Sequence, residues 1–170
     1  MENKITLEEL ESLIDNKKVK EIRELFESTD IIDIAEVCDD IEDISKLLFI
    51  FKTVKSEYTA ELFTYLDENQ QQNLINLFSD KQLRELINNS YTDDIVDFLE
   101  DMPANLVKRV LSASDKDARN DINKLLNYKE DTAGSIMTTE YVELINTLDV
   151  KDALARIKKI GKDAETISTT

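Results

Sequence analysis

The middle of the chain carries a ladder of apolar residues with a period of twelve. Leu62, Leu74, Leu86, Phe98, Val110 and Ile122 follow this step, and Phe63, Ile75, Ile87, Leu99 and Leu111 repeat it one position on. A continuous α-helix turns ~100° per residue, so twelve residues leave a side chain about 120° out of register. The ladder therefore cannot be the stripe of one long helix. It predicts short helices of roughly nine residues, each followed by a brief turn. Start signals keep the same period: Asp67, Ser79 and Asp115 share one phase, and Pro103 falls on it. Asp67 with Gln70, Ser79 with Gln82 and Ser114 with Asp117 have the form of N-terminal caps, in which a side-chain oxygen accepts an orphan backbone N–H. Pro103 suits a first helical turn, where its missing donor costs nothing. Asn88, Asn89 and Ser90 read as another break. Helices this short are unstable alone. Each must bury its stripe on its neighbours, and antiparallel pairs are expected to stack into a curved superhelix.

The flanks are less regular. Thr6 with Glu9 starts a helix that Asn16 ends, and Val19, Ile22, Leu25 and Phe26 mark the next stripe. Residues 31–41 read as a third short helix, and 44–54 as the most apolar and central one. From about residue 128 the pattern changes: Gly134 interrupts it, and Tyr141, Val142, Leu144 and Ile145 read as a short extended stretch. Asp149 then caps an amphipathic helix through Val150, Leu154, Ile157 and Ile160, with Gly161 as its stop. Residues 165–170 have the look of an opening strand. A lone strand and helix are not a stable domain, so a fragment of a longer protein is expected.

Composition agrees with helix. Only two glycines and one proline occur in 170 residues, too few for the turns of a multi-stranded β fold. The 37 acidic residues against 21 basic ones leave a net charge of −16. Such a surface repels nucleic acid and anionic lipid and attracts cations. There is one cysteine and no histidine, which removes an intrachain disulfide, the usual zinc sets and any Ser-His-Asp or Cys-His constellation. Cys38 lies in an apolar pattern with Val37 and Ile41 and is expected to be a buried thiol. The opening MENKITLEEL lacks a secretory leader's basic start and apolar run, and Leu47–Phe51 is far too short to span a bilayer. A soluble cytosolic piece without enzymatic activity is the expectation.

The sharpest candidate for chemistry is the run Asp93, Asp94, Asp97, Glu100 and Asp101; Asp39, Asp40, Glu42 and Asp43 form a second, and Glu130 with Asp131 a third. At helical spacings of three and four, such carboxylates repel by about 0.2–0.5 kcal/mol per pair. A divalent cation would relieve this, and carboxylates without nitrogen or sulfur donors suit a hard ion such as Mg²⁺. A merely solvated acidic face is the competing reading of the same residues, and glycosidase-like acid/base work a third.

The segment YKEDTAGSIMTTEYV, Tyr128 to Val142, resembles the junction between the helical N domain and the first CBS domain of MgtE-type magnesium transporters. DIAEVCDDI from Asp33, TAELFTYLDENQQQNLINLF from Thr59 and YTDDIVDFLEDMP from Tyr91 fit the same family upstream, and DVKDALARIKK and KDAETIS downstream. The chain departs from the family pattern at Ser135, where a second glycine is usual. The resemblance implies an all-α fold, a right-handed superhelix of short antiparallel helices over 1–128, followed over 129–170 by the junction and truncated beginning of a CBS (α/β) domain. It implies a regulatory Mg²⁺-sensing role in a homodimeric transporter, at the cytoplasmic face of the membrane. Its partners would be the chain's own CBS and transmembrane domains. The implied metal residues are Glu61, Asp93, Asp97 and the carbonyl of Ser135, which supply half-sites and so bind Mg²⁺ only weakly. The rival to this reading is a helical protein-interaction scaffold resembling the middle domain of the flagellar motor switch protein FliG.

Overall fold

The computed structural model describes residues 5–129, 132–161 and 164. Within them the chain is all-helical, with eleven α-helices, one short 3-10 turn and no strand. The helices are α1 (Leu7–Asp15), α2 (Val19–Ser28), α3 (Ile31–Asp39), α4 (Ile44–Thr53), α5 (Ser56–Tyr65), α6 (Glu68–Leu77), α7 (Asp80–Asn89), α8 (Thr92–Glu100), α9 (Ala104–Ala113), α10 (Lys116–Leu125) and α11 (Val150–Ile160). From α4 to α10 they begin at Ile44, Ser56, Glu68, Asp80, Thr92, Ala104 and Lys116. The twelve-residue period of the sequence is thus the period of the fold. Helices two apart touch: α3 meets α5, α5 meets α7 and α7 meets α9, while α4 meets α6 and α8 meets α10. The rungs Leu62, Leu74, Leu86, Phe98, Val110 and Ile122 are all buried in one core.

The caps follow the expected phase with three corrections. Ser79 and Gln82 form a reciprocal capping box, as do Thr6 and Glu9. Asp67 accepts the Gln70 N–H at 3.0 Å, but the Gln70 side chain does not return the bond because it is used elsewhere. Ser114 is not an N-cap: it closes α9 as its C-cap, donating its Oγ to Val110 O at 2.9 Å, and Asp115 caps α10 from the next position. Pro103 sits one residue before the first turn of α9, at φ −56°. The expected extended stretch at Tyr141–Ile145 forms no regular element; no partner strand is present among the described residues to take its backbone hydrogen bonds. The expected strand at 165–170 and the Glu130–Asp131 pair lie outside the described residues.

Short helices leave many orphan carbonyls, and this chain has almost no glycine to turn them back. Side chains from other helices meet them instead. Gln70 on α6 donates to Cys38 O and Asp39 O, at 3.0 and 3.3 Å, at the end of α3. Gln71 donates to Phe63 O of α5 at 2.8 Å. Arg23 on α2 reaches Thr53 O of α4 at 2.6 Å. Arg109 on α9 donates to Ile75 O at 2.7 Å and to Phe78 O, closing α6. Arg119 on α10 donates to Leu111 O at 2.6 Å and Ser114 O at 2.9 Å, closing α9.

A cluster of phenylalanines fixes the elements that matter below. Phe63 of α5 meets Phe98 of α8 edge-on, with ring centroids 5.0 Å apart, and meets Phe51 of α4 at 6.2 Å. Such pairs contribute ~0.5–1.5 kcal/mol beyond the area they bury. Cys38 is fully buried, and burial pushes its thiol up to about 12. It is a core residue rather than a reactive one.

Candidate functional site

The Phe63–Phe98 contact locks α5 against α8, so the polar faces of the two helices are presented side by side. A cavity of about 480 Å³ opens between α5 and the α7–α8 turn, with Glu57, Glu61, Tyr65, Tyr91 and Asp94 on its walls. A second, of about 280 Å³, runs on between α6 and α8, lined by Glu68, Gln71, Asp94, Asp97 and Asp101. Thr64 and Asp94 line both, so the two adjoin as one groove. No Lys or Arg stands among the described residues of its walls.

Helix geometry decides which acids face the groove. Asp94, Asp97 and Asp101 are separated by three and four residues and share a face of α8. Asp93 is turned ~100° from Asp94; it is half-buried and lines neither cavity. Of the residues the resemblance marks, the structure brings Glu61 and Asp97 to one groove. Ser135 lines neither cavity. It ends the 3-10 turn Ala133–Ser135, where its N–H and its Oγ both donate to Thr132 O, at 3.1 and 2.9 Å. Lys17 is the one non-glycine residue with positive φ among those described, so the serine fits its backbone without strain. Asp94 and Asp101 belong to the acidic run that the sequence singles out, whereas Glu57 and Glu68 carry no mark in it. The spacing of three from Asp94 to Asp97 was the available signal, but the contribution of α6 depends on tertiary packing.

Burial, and secondarily the charge of Asp30, hold the Glu61 carboxyl above its ordinary pKa. A carboxylate disfavoured in this way gains more from a nearby cation than a free one does. Among the described residues, no set of three or more His, Cys, Asp and Glu converges as a closed metal cage. The groove instead offers dispersed, solvent-open carboxylates. Such an arrangement suits a cation that keeps its water shell, as Mg²⁺ does.

Residues 29–131 match the model of the MgtE intracellular N domain. The chain belongs to this family. The magnesium transporter MgtE of Bacillus subtilis is 25% identical over 134 residues, 72% of this chain and 30% of that protein. The magnesium transporter MgtE of Thermus thermophilus is 34% identical over 79 residues, 44% of this chain and 17% of that protein. The chain thus spans less than a third of the length of these MgtE relatives. Among solved structures, the soluble part of a magnesium transporter superposes with a TM-score of 0.83 at 24% identity, covering 95% of this chain and 63% of that one, which shows the shared fold. The cytosolic domain of the Mg²⁺ channel MgtE in complex with ATP superposes with a TM-score of 0.82 at 25% identity, covering 93% and 64%. Among the described residues, no helix is long and apolar enough to cross a membrane.

Proposed function

We propose that this MgtE N domain is the Mg²⁺-sensing part of a magnesium transporter or channel and regulates uptake from the cytoplasmic face of the membrane. Residues 1–128 are the N domain, a right-handed superhelix of short helices. Residues 129–170 are the junction and the beginning of a CBS domain, which leads on to transmembrane domains in a homodimer. The observation that carries the reading is the groove between α5 and α8, whose walls bear six carboxylates, Glu57, Glu61, Glu68, Asp94, Asp97 and Asp101, in a chain of net charge −16.

The physics is that of two acidic surfaces. Apart from metal, the groove and an acidic face on the neighbouring domain repel one another. Hydrated Mg²⁺ between them cancels the repulsion and holds the domains together, which closes the pore. Each ion shifts the equilibrium only by its differential affinity for the closed state. Several weak half-sites acting together therefore give a threshold response, with Glu61 and Asp97 in the groove and Asp93 and the Ser135 carbonyl as further ligands at the domain boundary.

The test uses the transporter that carries this chain. Mg²⁺ should protect its N domain from limited proteolysis. The Glu61→Ala/Asp97→Ala variant should need about fivefold or more Mg²⁺ for half protection, the size of an ordinary coupling energy. Protection that is identical at every Mg²⁺ concentration would remove the groove from the mechanism.

A further inference from the structure

The helix that, with its C-cap Asp101, carries three of the six groove acids begins without a side-chain cap of its own. Tyr91 precedes α8 and offers no side-chain acceptor. The acceptor comes instead from 48 residues further along the chain. The Thr92 N–H donates to Glu140 Oε1 at 3.1 Å, and the Thr92 hydroxyl donates to the same oxygen at 2.6 Å. The other carboxylate oxygen, Oε2, accepts from the Thr139 hydroxyl at 2.9 Å and the Thr138 hydroxyl at 3.4 Å, while the Glu140 N–H donates to Thr138 Oγ1 at 3.2 Å. The carboxylate is thus gripped on both sides, by its own segment and by α8. Burial pushes its pKa up, but the hydrogen bonds from Thr92 and Thr139 outweigh burial and hold it below the ordinary value. An ionised acceptor at a helix N-terminus is favoured by the aligned peptide dipoles, and its hydrogen bonds are about twice as strong as neutral ones.

Two other contacts hold the same stretch against the repeats. The Tyr128 ring lies on Gly134, and Met137 packs on the hydrophobic core. Past Glu140 several apolar side chains are open, with Tyr141, Ile145 and Val150 at 64%, 52% and 77% exposure, while Val142 and Leu144 are half-buried. The junction is therefore fastened to the helical ladder at Gly134, at Met137 and, through Glu140, at the first turn of α8. Asp93 and Asp94 occupy the next two positions of that turn, and Asp94 lines both cavities.

We propose that Glu140 is a positioning residue that latches the junction onto the acidic helix α8, so that a cation in the groove and the closed latch stabilise one another. The latch stands on its own geometry; its coupling to a cation rests on the function proposed above. An anion at the start of α8 adds to the field that holds a cation near Asp94. A cation near Asp94 in turn stabilises the anion where it sits. By linkage the two effects have the same size.

Amide hydrogen exchange and amide shifts of this chain, read by NMR with MgCl₂ against NaCl of matched ionic strength, test the proposal. With Mg²⁺ the Asp94 and Asp97 amides should titrate, and Thr92 amide protection should rise about fivefold. Thr92→Val should lower that protection and raise the Mg²⁺ midpoint of the groove by a similar factor, and Thr92→Ser should restore both. Glu140→Gln keeps an acceptor but no charge; it should keep part of the protection and lose its dependence on Mg²⁺. Were Thr92 protection unmoved by Mg²⁺ while Asp94 and Asp97 titrate, the coupling would be wrong and the sensing function would stand. Were Asp94 and Asp97 not to titrate at all, both would fall. A Thr92→Val chain with unchanged protection and unchanged midpoint would overturn the latch itself.

Discussion

At the scale of single residues, Gly134 shows how little of a close contact is written in the local sequence. Its φ is not positive, so it is not needed for a left-handed turn. It is needed because a Cβ would stand 2.6 Å from Tyr128 Cγ and 2.7 Å from Cε1. Gly134→Ala must push the ring off, at a cost of ~1–3 kcal/mol by the usual scale of overpacking. A lower urea midpoint, partly recovered in the Gly134→Ala/Tyr128→Ala double variant, would show this; an unchanged midpoint in the single variant would refute it. The sequence marks Gly134 as a break in the helical pattern, but a ring six residues earlier leaves no local trace. The same holds for Gln70. Beside Asp67 it reads as half of a capping box, yet its amide faces the end of α3, where it donates to Cys38 O and Asp39 O.

At the scale of helices, legibility divides between beginnings and ends. Beginnings, that of α8 apart, are local: Asp67, Ser79, Asp115 and Asp149 each bond the N–H three positions on, and the twelve-residue phase exposes the first three. Ends are local only in part, since side-chain donors on other helices also reach the last carbonyls of α3, α4, α5, α6 and α9. Arg109 illustrates the consequence. Its guanidinium fork serves the last turn of α6 with two nitrogens. Arg109→Ala should cost about 2–3 kcal/mol, since hydrogen bonds to a charged donor are worth roughly 1.5–3 kcal/mol and their loss leaves half-buried carbonyls unmet. Arg109→Lys should recover only part, because an ammonium cannot span the separated carbonyls as a planar fork does. Denaturant midpoints of the two variants decide it: equal stability of Lys and Arg at this position would show that charge alone suffices. The groove follows the same division. The acids of α8 are legible by spacing, whereas Glu68 joins them only through the packing of α6 on the ladder.

At the scale of the whole molecule, charge sets the response to pH. Glu61 and Asp39 are held above their ordinary pKa, chiefly by burial and then by neighbouring acids. The folded state therefore binds their protons more tightly than the unfolded one does. Stability rises as pH falls through their folded pKa values, and the gain is complete below their unfolded ones. Asp43, held down by its bond from Ser45, and Glu140 act in the opposite sense: their stabilisation exists above the unfolded pKa and disappears as pH falls through the folded one. Acidification from neutrality should first stabilise and then destabilise, with the highest urea midpoint between neutrality and the ordinary carboxylate pKa values and a loss below those values. Glu61→Gln should raise the midpoint at pH 7 and barely change it at the optimum. A wild-type midpoint that falls steadily from pH 7 downward would contradict this assignment.

Closing helices with borrowed side chains gives the ladder a direction. A helix stopped by glycine can unravel from its own tip without consulting anything else. Here α10 secures α9 through Arg119, α9 secures α6 through Arg109, and α6 secures both α3 and α5 through Gln70 and Gln71. The bolts run from α10 back as far as α3, so a strain on one of these helices should be shared with the next instead of being absorbed at one loose turn. Helices fastened in this way should let go together, not one at a time.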